Sequence, residues 1–268
     1  MQIIIFDDAQ QVASNAAEWV AELINKKTNP VLGLATGSTP ISLYKQLVTK
    51  YQTGQLSFKN TSCFNLDEYL GIDEGNPQSY RHFMNDNLFN HVDIDKGNTF
   101  LPTCAQGQNP REQGLAYEEK IKYSGGIDLQ ILGIGANGHI GFNEPTSSLA
   151  SRTRIKTLTQ QTLSDNSRLF DKDEFQPTLA MTMGIGTILD ARYVLLMATG
   201  KSKAKAVQDM VTGPLSSMCP ASALQMHENA IILLDKAAAS QLEDQNYYQW
   251  ANVQNLKINQ EFGLYHNY

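Results

Sequence analysis

The residues with most to offer chemically sit in Leu132 to Pro145, LGIGANGHIGFNEP, where His139 and Glu144 share one glycine-rich stretch. An imidazole moves protons near neutral pH, and a carboxylate can orient it. Three chemistries compete for this stretch. Gly133, Gly135 and Gly138 match a dinucleotide pattern, but that pattern must open a helix and place an acid about 20 positions on. Here His139, Gly141, Asn143 and Pro145 prevent an immediate regular helix, and no carboxylate lies near Leu158. One histidine and one glutamate make at most half a metal site. Acid–base catalysis remains, against a purely structural turn.

A second candidate is Asp67 with Glu68, in Asn65-Leu66-Asp67-Glu68-Tyr69. Adjacent carboxylates at a strand end are either general bases or solvated turn residues, and the spacing alone leaves both open. A third is ATGSTP, Ala35 to Pro40, read as a helix start with proline at the first helical position. Free amides, two hydroxyls and the helix dipole suit an anion there. The plainer reading is a Ser/Thr N-cap, and no Gly-Lys-Ser/Thr follows to make a P-loop. The fourth is Thr199 to Lys205, where Lys201, Lys203 and Lys205 open a helix. Cations there oppose the macrodipole at a few tenths to about 1 kcal/mol each, and a bound phosphate would resolve the conflict.

The elements that must position these groups follow from periodicity. Buried strands are expected at Ile3 to Phe6, Val31 to Leu34, Thr61 to Asn65, Ile127 to Leu132, Leu179 to Met183, Tyr193 to Ala198 and Ile231 to Leu234. Between them run helical patterns, such as Ala16, Ala17, Val20 and Leu23 after the capping pair Asp7 and Asp8. Others are Ile41 to Val48, Tyr80 to Phe89 and Glu112 to Lys122, with a helical tail before the irregular end. This alternation predicts a mostly parallel sheet covered on both faces, in one domain spanning 1–268.

A formal net charge of −6 argues against nucleic-acid or anionic-membrane partners, though not against a small anion held by local cations. Cys63, Cys104 and Cys219 are far apart and suit free thiols in a reducing cytoplasm. MQIIIFDD turns acidic too soon for a signal peptide, and no run reaches the roughly 18 apolar residues of a membrane span.

Five stretches occur in order: FNLDEYLG (Phe64 to Gly71), LGIGANGHIGFNEP, SSLASRTRIKTLT (Ser147 to Thr159), NSRLFD (Asn166 to Asp171) and TGKSKA (Thr199 to Ala204). Together they closely resemble the glucosamine-6-phosphate deaminase family, from about Ile3 to the Tyr247 region. The resemblance implies a Rossmann-like three-layer α/β sandwich with a mobile lid at about 147–186. It implies conversion of glucosamine 6-phosphate and water to fructose 6-phosphate and ammonia, hydrolysing a C–N bond without metal or organic cofactor. Asp67 would be the base at carbon 2, and His139 with Glu144 would open the ring. Asn137 stands where the best-known members carry aspartate as partner to the histidine; an amide can orient an imidazole but cannot carry its proton. The phosphate would sit among Gly37, Ser38, Thr39, Arg168 and Lys203. Ser147, Arg154, Lys156 and Thr157, with Tyr247 as a fifth, match the site for an N-acetylglucosamine 6-phosphate effector. Such sites lie between subunits, so the resemblance implies a homo-oligomer, a hexamer being favoured. Rival readings are a 6-phosphogluconolactonase-like hydrolase and a sugar-phosphate sensor domain.

Overall fold

The computed structural model describes residues 1–105, 107–158 and 176–262. Its centre is a seven-stranded sheet in the order β1-β10-β9-β6-β2-β3-β5, every pairing parallel. The strands are β1 (Gln2–Phe6), β2 (Val31–Leu34), β3 (Ser62–Asn65), β5 (Thr99–Phe100), β6 (Leu129–Leu132), β9 (Tyr193–Ala198) and β10 (Ala230–Asp235). Strands such as VLGL and AIILLD are buried at every position, as a sheet covered on both faces demands.

Period-two alternation divides each strand between two cores. On β10, Ile232 and Leu234 join one cluster, with Tyr117 and Ile121 of α4 (Pro110–Tyr123), Ile188 of α5 (Ile185–Leu189) and Val207 and Met210 of α6 (Ala204–Thr212). Ile231 and Leu233 join the other, with Val20 and Leu23 of α1 (Ala9–Lys26), Leu43 and Leu47 of α2 (Ser38–Gln52) and Met84 of α3 (Tyr80–Asn87). Three layers result. The tail helix α7 (Gln245–Phe262) packs against β1.

The chain runs outward from β2 through β3 to β5 and returns at β6 on the opposite side of β2. Between β2 and β6 the connections leave in opposite directions, which opens a crevice beyond the carboxyl ends of the strands. That crevice holds the site.

Three expectations are corrected. Leu179 to Met183 is not in the parallel sheet: β8 (Leu179–Thr182) lies between β4 (Asp67–Tyr69) and β7 (Arg154–Thr157) in a small antiparallel sheet. Its partners, DEY and RIKT, are too polar to announce themselves as strands. Proline is not the first residue of α2: Gly37 (φ 94°) is the N-cap without a side-chain cap bond, and Pro40 is the third helical residue. Of the two N-terminal aspartates only Asp8 caps α1, accepting from the Gln11 amide at 2.9 Å, whereas Asp7 pairs with Lys236.

Candidate active site

A cavity of about 530 Å³ occupies the crevice, lined by Gly37, Ser38 and Thr39 after β2, Asp67 beyond β3, Asn137, His139 and Glu144 after β6, and Lys203 after β9. Four connections from four neighbouring or near-neighbouring strands thus converge.

The loop after β6 is built by its own hydrogen bonds. The Gly135 amide donates to the His139 carbonyl at 2.9 Å, and the Gly138 amide donates to the Gly135 carbonyl at 3.0 Å. Gly135 is dictated by the ring it faces: a Cβ there would stand 2.2 Å from His139 Cε1. Farther along, the fully buried Asn143 donates to the Ile140 and Met183 carbonyls and accepts from Arg154 at 2.8 Å. Its amide therefore fastens the loop to the end of β8 and to β7. Sequence reading saw Asn143 only as a helix breaker.

Within the loop, three side chains form one network. Asn137 Nδ2 donates to Glu144 Oε2 at 2.7 Å, and Asn137 Oδ1 lies 2.7 Å from His139 Nδ1, which is also 3.3 Å from Glu144 Oε1. A carboxylate only accepts, so the amide nitrogen of Asn137 must face Glu144 and its oxygen must face the imidazole. Both neighbours of Nδ1 are then acceptors. Nδ1 must therefore carry a proton, and in the neutral ring the lone pair is on Nε2. Burial raises the proton affinity of Glu144, but the bonds and charge of His139, the Asn137 amide and the charge of Lys156 outweigh it. Glu144 accordingly sits below its ordinary value, an anion through the neutral range.

Asp67 presents the opposite case. It is 6% exposed on β4, and its pKa is pushed up to about 8 by burial first and by the neighbouring Glu68 charge second, with the Phe142 amide opposing. Gly141 leaves it room, since a Cβ there would fall 3.3 Å from Asp67 Oδ2. Tyr80 and Phe142, which the sequence did not flag, stack at 6.1 Å beside it, and both line the cavity. Nothing in their spacing signals this, because they lie on separate elements.

At the other end, Ser38 and Thr39 stand in the first turn of α2, and neither hydroxyl is used to cap it. The plain N-cap reading therefore does not hold. Lys203 is half-buried, has its pKa lowered by burial, and makes no ion pair among the described residues. Lys205 instead pairs with Asp209, and Lys201 points to solvent. Arg168 lies outside the described residues.

The residues matched to an effector site divide. Ser147 is buried against the loop, its amide donating to the Glu144 carbonyl at 3.0 Å, and its hydroxyl has no partner among the described residues. Arg154, Lys156 and Thr157 follow on β7, Arg154 bound to Asn143 and Lys156 acting on Glu144 by charge. Tyr247 stands apart on α7, exposed and stacked on Trp250 at 6.2 Å. Among the described residues no group of three or more His, Cys, Asp or Glu could hold a metal, and no helix is long and apolar enough to cross a membrane.

A cavity pairing acid–base groups with a helix start and a half-buried lysine suits a phosphorylated substrate, and comparison with known proteins places the chain accordingly. It belongs to the family of glucosamine-6-phosphate isomerases and 6-phosphogluconolactonase, whose profile matches residues 7–233. Within it, the chain is 83% identical to a glucosamine-6-phosphate deaminase of Colwellia psychrerythraea (strain 34H) over the whole of both chains. It is 62% identical to the deaminase of Pseudoalteromonas translucida (strain TAC 125) over 98% of each. Among solved structures, a monomeric glucosamine-6-phosphate deaminase matches with a TM-score of 0.85 and 42% identity, over 90% of this chain and 100% of that one. The 6-phosphogluconolactonase of Thermotoga maritima shares the fold, with a TM-score of 0.68 and 19% identity over 88% and 99% of the two chains.

Proposed function

We propose that the protein is a glucosamine-6-phosphate deaminase, taking glucosamine 6-phosphate and water to fructose 6-phosphate and ammonia. The observation that carries this reading is a buried carboxylate of raised proton affinity, Asp67, facing the same cavity as the His139–Asn137–Glu144 network and the half-buried Lys203. The phosphate is held by the amides of Gly37, Ser38 and Thr39 and by Lys203, with Arg168 expected to join them; an anion at a helix start beside a cation is favourable.

Ring opening comes first, because only the open aldehyde acidifies the carbon 2 proton. The free Nε2 of His139 takes the hydroxyl proton and returns it to the ring oxygen, while the Glu144 anion stabilises the imidazolium formed between the two transfers. Asn137 holds the ring and carries no proton itself. Asp67 then takes the carbon 2 proton and returns it to carbon 1 on the same face, leaving an imine at carbon 2. Water adds there, and ammonia leaves. His139 and Asp67 thus account for the proton transfers of ring opening and of the carbon 2 to carbon 1 shift.

Hydrolysis of a lactone needs no base for a C–H bond, so the buried Asp67 favours the deaminase over the lactonase reading. A sensor domain has no use for either proton-handling group. Purified protein with glucosamine 6-phosphate should release ammonia and fructose 6-phosphate in equal amounts, measured by coupled assay. Faster hydrolysis of 6-phosphogluconolactone would transfer the assignment to the rival, and binding without turnover would revive the sensor.

The phosphate assignment has its own test. Lys203→Met should weaken competitive inhibition by inorganic phosphate about 10- to 100-fold, since hydrogen bonds to charged groups contribute ~1.5–3 kcal/mol. Inhibition kinetics measure this.

An effector site for N-acetylglucosamine 6-phosphate at Ser147, Arg154, Lys156 and Thr157 belongs to the same proposal. Support comes from Arg154, which reaches the loop through Asn143, and from Lys156, which acts on Glu144. Tyr247 would have to come from another subunit or from a rearranged tail, so a homo-oligomer, a hexamer by preference, is part of this reading. The solved relative described as monomeric sets the contrast. Three buried free cysteines fit a reducing, cytoplasmic setting.

A further inference from the structure

Glu68 has no part in the mechanism, yet it is one of the most deliberately placed side chains near the site. It is 3% exposed, on a three-residue strand directly beside Asp67. Its Oε1 accepts from the amides of Tyr69 at 2.8 Å and Tyr80 at 3.0 Å, and its Oε2 accepts from the Arg81 amide at 2.9 Å. All three partners are donors and favour the carboxylate form, against burial, the largest influence, which holds the group above its usual value; Tyr80 and Arg81 are the first two residues of α3. Ser79 already caps that helix, its hydroxyl accepting from the His82 amide at 3.0 Å. The guanidinium of Arg81 does not neutralise Glu68 by direct contact: it is spent on Thr99, at 2.7 Å to the hydroxyl and 3.0 Å to the carbonyl.

A second buried carboxylate next to a catalytic one is expensive, and helix capping alone does not require it. What it adds is position and charge. Successive residues of a strand face opposite ways, so Asp67 and Tyr69 look toward Phe142 and Tyr80 while Glu68 reaches the backbone of α3. Tyr80 thereby has its amide on Glu68, its hydroxyl on that of Tyr69 at 3.2 Å, and its ring on Phe142.

We propose that Glu68 is a positioning residue for the base: it ties the start of α3, and with it Tyr80, to β4, and sets a second carboxylate beside Asp67. The inference deepens the deaminase reading and rests on it for the role of Asp67. The charge of Glu68 is the second-largest cause of the raised proton affinity of Asp67, after burial. Among the described residues, the other titratable and charged groups around Asp67 are Tyr69, Tyr80 and Arg81, Tyr117 on α4, His139 and Glu144 on the loop, Arg154 on β7, and Lys203. Glu68→Gln removes the charge but also turns an NH2 group toward a backbone donor, so it is read beside Glu68→Asp, which keeps the charge and gives up the α3 amides.

The test reads Asp67 without relying on turnover. Carboxyl-carbon NMR, with Asp67→Asn to assign the signal, follows its titration in wild type, Glu68→Gln and Glu68→Asp. In Glu68→Gln the midpoint should fall by on the order of one pH unit, as expected on removing a like charge at close range. Glu68→Asp keeps the charge but is too short for the α3 amides, so its midpoint should stay with wild type while KM rises several-fold through Tyr80. A midpoint unmoved in Glu68→Gln, or lowered equally in Glu68→Asp, overturns the proposal. Should Glu68→Gln fail to fold, the Glu68→Asp midpoint decides alone. If wild type titrates as described but releases no ammonia, the deaminase reading fails and the electrostatic one stands.

Discussion

Asp67→Asn is expected to lower kcat by about 10²- to 10⁴-fold with little change in KM, the range for removing a positioned general base. The amide fills the same space but cannot accept the carbon 2 proton. Wild-type kcat/KM should carry an acid limb near the raised pKa of about 8, and the variant should lose it. Stability moves the other way. The native chain keeps a proton on Asp67 that the unfolded chain has already released, in the window from the ordinary value of 3.8 to about 8. Stability therefore falls as pH rises through that window and reaches its floor above it. Asp67→Asn escapes this penalty, so its melting temperature should exceed that of wild type, most clearly above pH 8. An inactive variant that is also the less stable one at alkaline pH would contradict the assignment of Asp67 as a buried base.

Gly135→Ala is expected to cost roughly 10² in kcat, the penalty for displacing a catalytic group by about an ångström. The new methyl would stand 2.2 to 2.5 Å from three atoms of the His139 ring. The ring cannot yield freely, because Asn137 grips its Nδ1 at 2.7 Å and the Gly135 amide holds the His139 carbonyl. It must leave its partners to make room. Phosphate contacts lie at the other end of the cavity, so inhibition by inorganic phosphate should stay within about twofold, separating a displaced imidazole from a collapsed site. Measured kcat near wild type would mean that His139 is not the ring-opening group.

Much of the parallel sheet was legible because buried parallel strands are continuous apolar runs; VLGL and YVLLMA fall where such runs predict. The catalytic loop was legible for the opposite reason, since glycine, histidine and proline together fit no regular element. Legibility failed where polarity and burial part company. The sequence left Asp67 and Glu68 open between general bases and solvated turn residues, because β8, the partner of the buried strand they form with Tyr69, lies far off in sequence. RIKT, singled out in the sequence only for its match to an effector site, pairs with β8. The beginning of α2 was misplaced because a glycine with φ of 94°, not a hydroxyl, ends the preceding strand connection. Asn137, legible only as a departure from the family pattern, acquires a definite task once Glu144 is seen to bind its amide.

The crevice between β2 and β6 has a consequence for how the molecule comes into being. Gly37 and Lys203, lining residues from the loops after β2 and β9, meet only after β2, β6 and β9 have paired side by side. Such non-local pairings close large loops and form slowly. No short fragment contains the site, and a chain still emerging during synthesis has none until β9 and the lysines after it have been made. Ammonia release is thus a reporter of completed folding, silent in every intermediate whose sheet has not yet closed around β6.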